Sequence, residues 1–170
     1  MIIAFPPCTY LTNVATRHHS IKHTALDKIN KRTDKRIDGM KFFMCFADAD
    51  CDKIAIENPV GVMNTCYRSP DQLIHPYMFA ESKNDTENYV TKGTCLWLKN
   101  LPPLETNGLP KPDNAELFGV RPNGRAFNWE ERLCRKGGAS LARSKTFPGI
   151  AKAMAEQWSR EPAQMRMEEI

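Results

Sequence analysis

Two segments have residue types and order suited to covalent chemistry: Phe5-Pro6-Pro7-Cys8-Thr9, a cysteine directly behind two prolines, and Glu57-Asn58-Pro59, an acidic residue just before another. A thiol on a rigid diproline loop is exposed and fixed in direction, as a nucleophile must be. A nearby carboxyl group can give a proton to a ring nitrogen when partial burial raises its pKa. Taken singly, each has an ordinary reading. A lone Cys is usually a small packing residue, a loop Glu is usually solvated, and Asn-Pro commonly opens a turn. His18, His19 and His23 have no companion Cys or carboxylate at ligand spacing, so they read as a solvated basic helix end, and no metal site is expected.

The elements that must position these residues are legible in outline. Ile2-Ile3-Ala4-Phe5 is an apolar run stopped by Pro6-Pro7; apolar on both faces, it predicts a central, doubly covered strand of an α/β sheet. From Ala25 to Ala47 the period becomes helical, with Ile29, Ile37, Met40, Phe43, Met44 and Ala47 largely on one side. Lys53-Ile54-Ala55-Ile56 reads as a second buried strand that ends at Glu57-Asn58-Pro59. Strand, helix, strand is a βαβ unit, which pairs its strands in parallel with a right-handed crossover. Ligands bind beyond the carboxyl ends of such strands, so Cys8 and Glu57 face one crevice if the strands are neighbours.

From Val60 to Ala139 the chain is loop-rich, with seven of the twelve prolines and the polar stretch Glu81–Asn88. Thr94–Leu98 is a clear strand within it. Ile150–Arg160 is an amphipathic helix led in by Phe147-Pro148, with Ile150, Ala153, Met154, Gln157 and Trp158 at helical spacing. Trp97, Phe127 and Trp129 read as core or loop anchors. The expectation is a single α/β domain over residues 1–170, with residues 1–60 and 140–161 as core and 61–139 as a loop-rich insert.

Composition narrows the classes. The chain has 170 residues, 41% hydrophobic and 26% charged, which suits neither a disordered nor a fibrous protein. No apolar run approaches a membrane span and the first residues lack a signal-peptide pattern, so a cytoplasmic protein with no membrane partner is expected. Six cysteines with uneven spacing and no C-x-x-C pair exclude a zinc ribbon or a small disulfide scaffold. Charge is uneven: Arg17 to Lys41 holds eight basic and three acidic residues, whereas Glu156 to Ile170 holds two basic and four acidic. The run from Lys28 to Lys41 reads first as a solvated helix face and second as a surface for a polyanion.

With these residues in place, a family resemblance can be stated. Pro6-Pro7-Cys8 after one strand and Ile56-Glu57-Asn58-Pro59 after the next resemble the Pro-Cys and Glu-Asn motifs of DNA cytosine-5 methyltransferases. PPCTYLTN, IENP, TCLWLKNLPPL and RSKTFPGIAKAMAEQW, in this order, resemble the phage-encoded proteins of that type. The resemblance implies a partial Rossmann-like sheet, S-adenosylmethionine as methyl donor and DNA as partner, in a host cell's cytoplasm. It implies Cys8 as the nucleophile on cytosine C6 and Glu57 as the group facing N3 and the exocyclic amine. Pro7, Thr9, Asn58, Arg143 and Lys145 would contact the substrate, and Phe5, Pro6, Phe147 and Pro148 the donor.

The departures are specific. Thr9 stands where the family has Gln, Pro59 stands for the usual Val, and no G-x-G occurs to form the family's donor-binding turn. The expectation is therefore a chain lacking the donor-binding half, with a partner chain or self-association completing the sheet. The alternatives are an inactive DNA-binding or host-interaction remnant of the fold, and a thiol enzyme acting on a free nucleotide.

Overall fold

The computed structural model describes residues 1–13, 18–22, 24–129, 131 and 146–159. They divide into two compact units, one from Met1–Leu73 with Gly93–Pro103, the other from Ile74–Lys92 with the described residues after Pro103.

Both motifs fall in the first unit. Strand β1 (Ile2–Ala4) pairs in parallel with β2 (Ile54–Pro59), Ile2 opposite Ile54 and Ala4 opposite Ile56. Helix α1 (Leu26–Ala47) connects them, so the expected βαβ unit is present. A short helix α2 (Met63–Cys66) follows β2. Strand β4 (Thr94–Lys99) then lies antiparallel on the other side of β2, from Ile54 opposite Lys99 to Pro59 opposite Thr94. Strand β3 (Gln72–Ile74) completes a mixed four-stranded sheet in the order β1-β2-β4-β3. The fold is mixed α/β.

The register corrects one expectation. β1 is not central: it has β2 as its only neighbour among the described strands, with Met1 and Phe5 exposed on either side of it. The doubly covered strand is β2, whose Ile54, Ala55, Ile56 and Asn58 are all buried. An apolar run shows that side chains find cover on both faces and says nothing about how many hydrogen-bonded neighbours flank the strand.

Alternation along β2 puts Ile54, Ile56 and Asn58 on the face that carries Trp97 and Cys95 of β4. Helix α1 covers that face with Phe43, whose ring lies edge-on to Trp97 at 5.1 Å and to Tyr67 at 5.8 Å. Ala4, Leu11 and Met63 close the same cluster. Burying Phe43 fully contributes roughly 1.5–3 kcal/mol. Trp97 is a core anchor, as its apolar setting predicts, and its indole N–H donates to Arg68 O at 2.9 Å. Ile37, which spacing groups with the buried side of α1, is 44% exposed.

The second unit contains a 3-10 turn (Pro76–Phe79), α3 (Asn114–Phe118) and α4 (Pro148–Trp158). Ile150, Ala153, Met154 and Trp158 form the buried stripe of α4; the Arg160 end of the expected helix lies outside the described residues. Gln157 instead brackets the backbone of Glu105, accepting from its N–H at 2.8 Å and donating to its carbonyl at 3.1 Å. Gly149 is required where it stands, since a Cβ would come within 2.5 Å of Phe79 O. The polar 81–88 stretch, expected as plain exposed loop, is stitched by Asp85, whose carboxylate accepts from the N–H groups of Glu81, Glu87 and Asn88 and from the Asn88 amide.

Candidate active site on the first unit

Because β1 and β2 are parallel neighbours, the segments that follow them leave the sheet at the same end. Pro6 is buried, Pro7 and Thr9 are exposed and Cys8 is half-buried. Cys8 O accepts from Leu11 N at 3.0 Å and Thr12 N at 3.2 Å, which turns the chain tightly just behind the thiol. The two prolines fix φ on the approach and supply no N–H, so no ladder bond draws this stretch onward as a strand.

Three sets of bonds tie this turn to the end of β2. Asn58, 1% exposed, donates its Nδ2 to Pro6 O at 2.8 Å. Val62 N donates to Leu11 O at 2.8 Å, and Asn13 N to Val60 O at 3.2 Å, around an antiparallel bridge between Thr12 and Gly61. Gly61 permits that approach: a Cβ there would lie 2.0 Å from Leu11 O. Asn64 secures the joint, accepting from Gly61 N at 3.0 Å and donating to Cys95 Sγ at 3.4 Å.

Glu57 is half-buried in β2 opposite Leu96 and, by alternation, on the face away from Asn58. One step beyond the last paired residues, Ala4 and Ile56, the register brings Phe5 level with Glu57. Phe5 is 45% exposed. Cys8, Glu57 and Phe5 thus occupy one end of one strand pair. Asn58, by contrast, turns inward, where it holds the Cys8 turn rather than presenting its side chain to solvent.

The cysteines are not equivalent. Burial pushes the Cys95 thiol up, an effect to which the Glu57 charge adds and which the Asn64 hydrogen bond opposes. Cys95 is fully buried and suits packing, whereas Cys8 sits on a partly exposed turn and forms no disulfide.

In the second unit, Phe147 is the buried N-cap residue of α4 and Pro148 its first residue; the Phe147 ring packs on Trp129 at 5.0 Å with Lys92 Nζ 5.5 Å from its centroid. Arg143 and Lys145 lie outside the described residues. Among the described residues no group of His, Cys, Asp and Glu is arranged to hold a metal ion, and no helix is long and apolar enough to cross a membrane.

Sequence reasoning missed Gly61, Asn64 and the inward role of Asn58. Gly61 two residues after Pro59 was the available signal, since a glycine just past a strand end marks a close backbone approach.

What fold and site define is a mixed α/β protein with a cysteine-bearing turn braced against a glutamate-bearing strand end. No protein-family model, curated protein or solved structure matches the chain.

Proposed function

We propose that the chain is a DNA cytosine-5 methyltransferase-type protein, its sheet a partial version of the Rossmann-like one, in which Cys8 adds to the target base. The observation that carries this reading is the bracing of the Cys8 turn against the Glu57-Asn58-Pro59 strand end, with the Asn58–Pro6 bond at 2.8 Å as its centre. Cytosine C5 is not nucleophilic until C6 carries an adduct, so this chemistry needs a thiol held at fixed geometry beside a carboxyl group.

Cys8 Sγ, as thiolate, forms a bond to C6, and the C5–C6 π pair moves to C5. Glu57 hydrogen-bonds N3 and the exocyclic amine, where its carboxyl group offsets the charge that reaches N3. Once that pair is shared with a methyl group at C5, loss of the C5 proton restores the C5–C6 double bond, the Sγ–C6 pair returns to sulfur and Cys8 is freed. The base must leave the stack for C6 to be reached, so the substrate is flipped or single-stranded DNA. Pro7 and Thr9, exposed beside Cys8, are positioned to contact it. S-adenosylmethionine, when bound, supplies an electrophilic methyl group. In this unit the residues that suit it are Phe5, whose exposed ring can cover an adenine, and Pro6 beneath.

DNA containing 5-fluorocytosine, supplied together with S-adenosylmethionine, tests the reading. The fluorine replaces the proton that must leave, so a covalent adduct on the Cys8 peptide is expected by mass spectrometry, lost in Cys8→Ser and weakened in Glu57→Gln. An adduct that persists in Cys8→Ser overturns the assignment. A second reading, DNA binding without catalysis, is favoured by the basic half of α1, where Arg32, Lys35 and Arg36 all lie against the Cys8 turn.

A further inference from the structure

The N-terminal half of α1 meets the turn after Cys8 through three positive side chains. Arg36 Nε donates to Tyr10 O at 2.9 Å, which fixes the guanidinium against the turn. The Arg32 guanidinium lies 5.2 Å and the Lys35 ammonium 5.6 Å from the centroid of the Tyr10 ring. His19 is tethered from the other side, its Nδ1 3.4 Å from Thr33 Oγ1. That hydroxyl gives its proton to Ile29 O at 3.0 Å, so it accepts from His19 Nδ1–H, and Nε2 is the nitrogen left over.

Three nitrogens in this cluster are buried without a partner: His19 Nε2, Arg32 Nε and Arg36 Nη2. Burial disfavours the charge on both His19 and Arg36, and like charges add to it, Arg36, Arg32 and His18 on His19 and Arg32 on Arg36, with Cys66 acting the other way on Arg36. Among the described residues no carboxylate forms an ion pair with the cluster. Asp27, Asp34 and Asp38 fall on the side of α1 away from Arg32 and Arg36 by helical spacing, Asp38 coming nearest as the i+3 neighbour of Lys35, and no ion pair joins them to Arg32, Lys35 or Arg36 among the described residues. Buried guanidinium N–H groups with no acceptor among the described residues are costly, and an anion with several acceptor oxygens is the species that relieves them, His19 Nε2 becoming a further donor once the ring is protonated. A carboxylate offers two coplanar oxygens; donors that come from two successive turns of one face of α1 and from the segment before it suit a tetrahedral group better.

We propose that His19, Arg32 and Arg36, with Lys35 at the rim, form a phosphate-binding site beside the Cys8 turn. The inference rests on the geometry of this cluster and not on the role given to Cys8. The phosphate has two possible sources of the same chemistry, a phosphodiester of a DNA strand or the phosphate of a free nucleotide. Protonated His19 donates from Nε2 to the bound group, so binding and protonation reinforce each other. The groups facing His19 are Arg36, Arg32, His18 and the Thr33 hydroxyl.

Histidine-ring NMR of the full chain, titrated with inorganic phosphate, tests the site. A saturable shift of the His19 Nε2 resonance is expected, together with a rise in the pH at which His19 titrates; chloride at equal ionic strength should give neither. Arg32→Gln, which removes from the site a guanidinium that makes no hydrogen bond to the fold among the described residues, should weaken the response at least several-fold, and Arg36→Lys should weaken it while keeping a charge at the turn. Absence of a saturable shift, the same shift with chloride, or an unchanged response in Arg32→Gln overturns the proposal. Deoxycytidine monophosphate and a short single-stranded oligonucleotide then separate the sources, the tighter of the two identifying the phosphate. Cys8→Ser should keep the phosphate response, so failure of the covalent reading and failure of this site are told apart.

Discussion

Asn58 and Pro6, 52 residues apart in sequence, are joined by a buried hydrogen bond of 2.8 Å that fastens the turn bearing Cys8 to the strand bearing Glu57. Asn58→Ala removes the donor and leaves the Pro6 carbonyl buried without it, which should cost about 1–3 kcal/mol in urea unfolding. Iodoacetamide labelling of the Cys8 peptide should change in rate while that of exposed Cys45 does not. A stability and a Cys8 rate both equal to the parent's would show that the bond holds nothing.

Gly61→Ala should be more damaging than its size suggests. The added Cβ meets backbone, Leu11 O at 2.0 Å, and backbone cannot swing aside like a side-chain tip. A loss of about 3 kcal/mol or more is expected, with the joint between the two loops opened. An unfolding midpoint at the parental value would contradict the close approach.

Phe43 and Phe42 are neighbours in sequence with opposite fates, 0% and 48% exposed. Phe43→Ala opens a cavity beneath Trp97 and Tyr67 and should cost about 3–5 kcal/mol. Phe42→Ala loses an edge contact with Phe46 and should cost about 1 kcal/mol or less. Chemical denaturation of the two variants side by side checks the ranking.

Acidification should weaken the fold in two stages. Burial, with Arg36, Arg32 and His18 adding to it, lowers the pKa of His19, and burial with Lys111 lowers that of His75. Below the ordinary histidine value of about 6.5 the unfolded chain therefore takes up protons first, and stability falls as pH drops toward the folded values. Asp71 follows at more acid pH: burial opposes its charge, but Arg68 and the Leu98 N–H outweigh it and hold its pKa below the usual carboxylate value. Urea midpoints measured in steps from about pH 7.5 downward should decline first in the histidine range, and the double variant His19→Gln, His75→Gln should flatten that first decline.

Local pattern made much of the architecture legible. The periods of α1 and α4, the apolar runs of β1, β2 and β4, and the prolines after β1 give those elements to within a few residues, because each depends on its own neighbours in sequence; Glu57-Asn58-Pro59, expected to stop β2, instead form its last three residues, paired with Leu96, Cys95 and Thr94. What depends on distant partners was not legible. β4 reaches β2 only after the 34 residues between Pro59 and Thr94, and its antiparallel pairing is what moves β1 to the edge. Cys8 and Glu57 could be singled out by type and by the strands before them. Asn58 could not be seen to turn inward toward Pro6, nor Arg36 to reach Tyr10, since both contacts require the turn to be folded. The sequence trace of the basic cluster was the excess of basic residues from Arg17 to Lys41, which marks the helix as basic without showing which of its side chains meet the Cys8 turn.

The joint at Gly61 also sets how the Cys8 turn would come undone. β1 is short and has one neighbour, so its ends fray at small free energy. The turn beyond it is fastened to β2 and to the segment from Val60 to Val62, not only to β1. Its opening is therefore coupled to that of β2, and fraying of β1 alone leaves the bonds from Asn58, Val60 and Val62 in place to hold the thiol's aim.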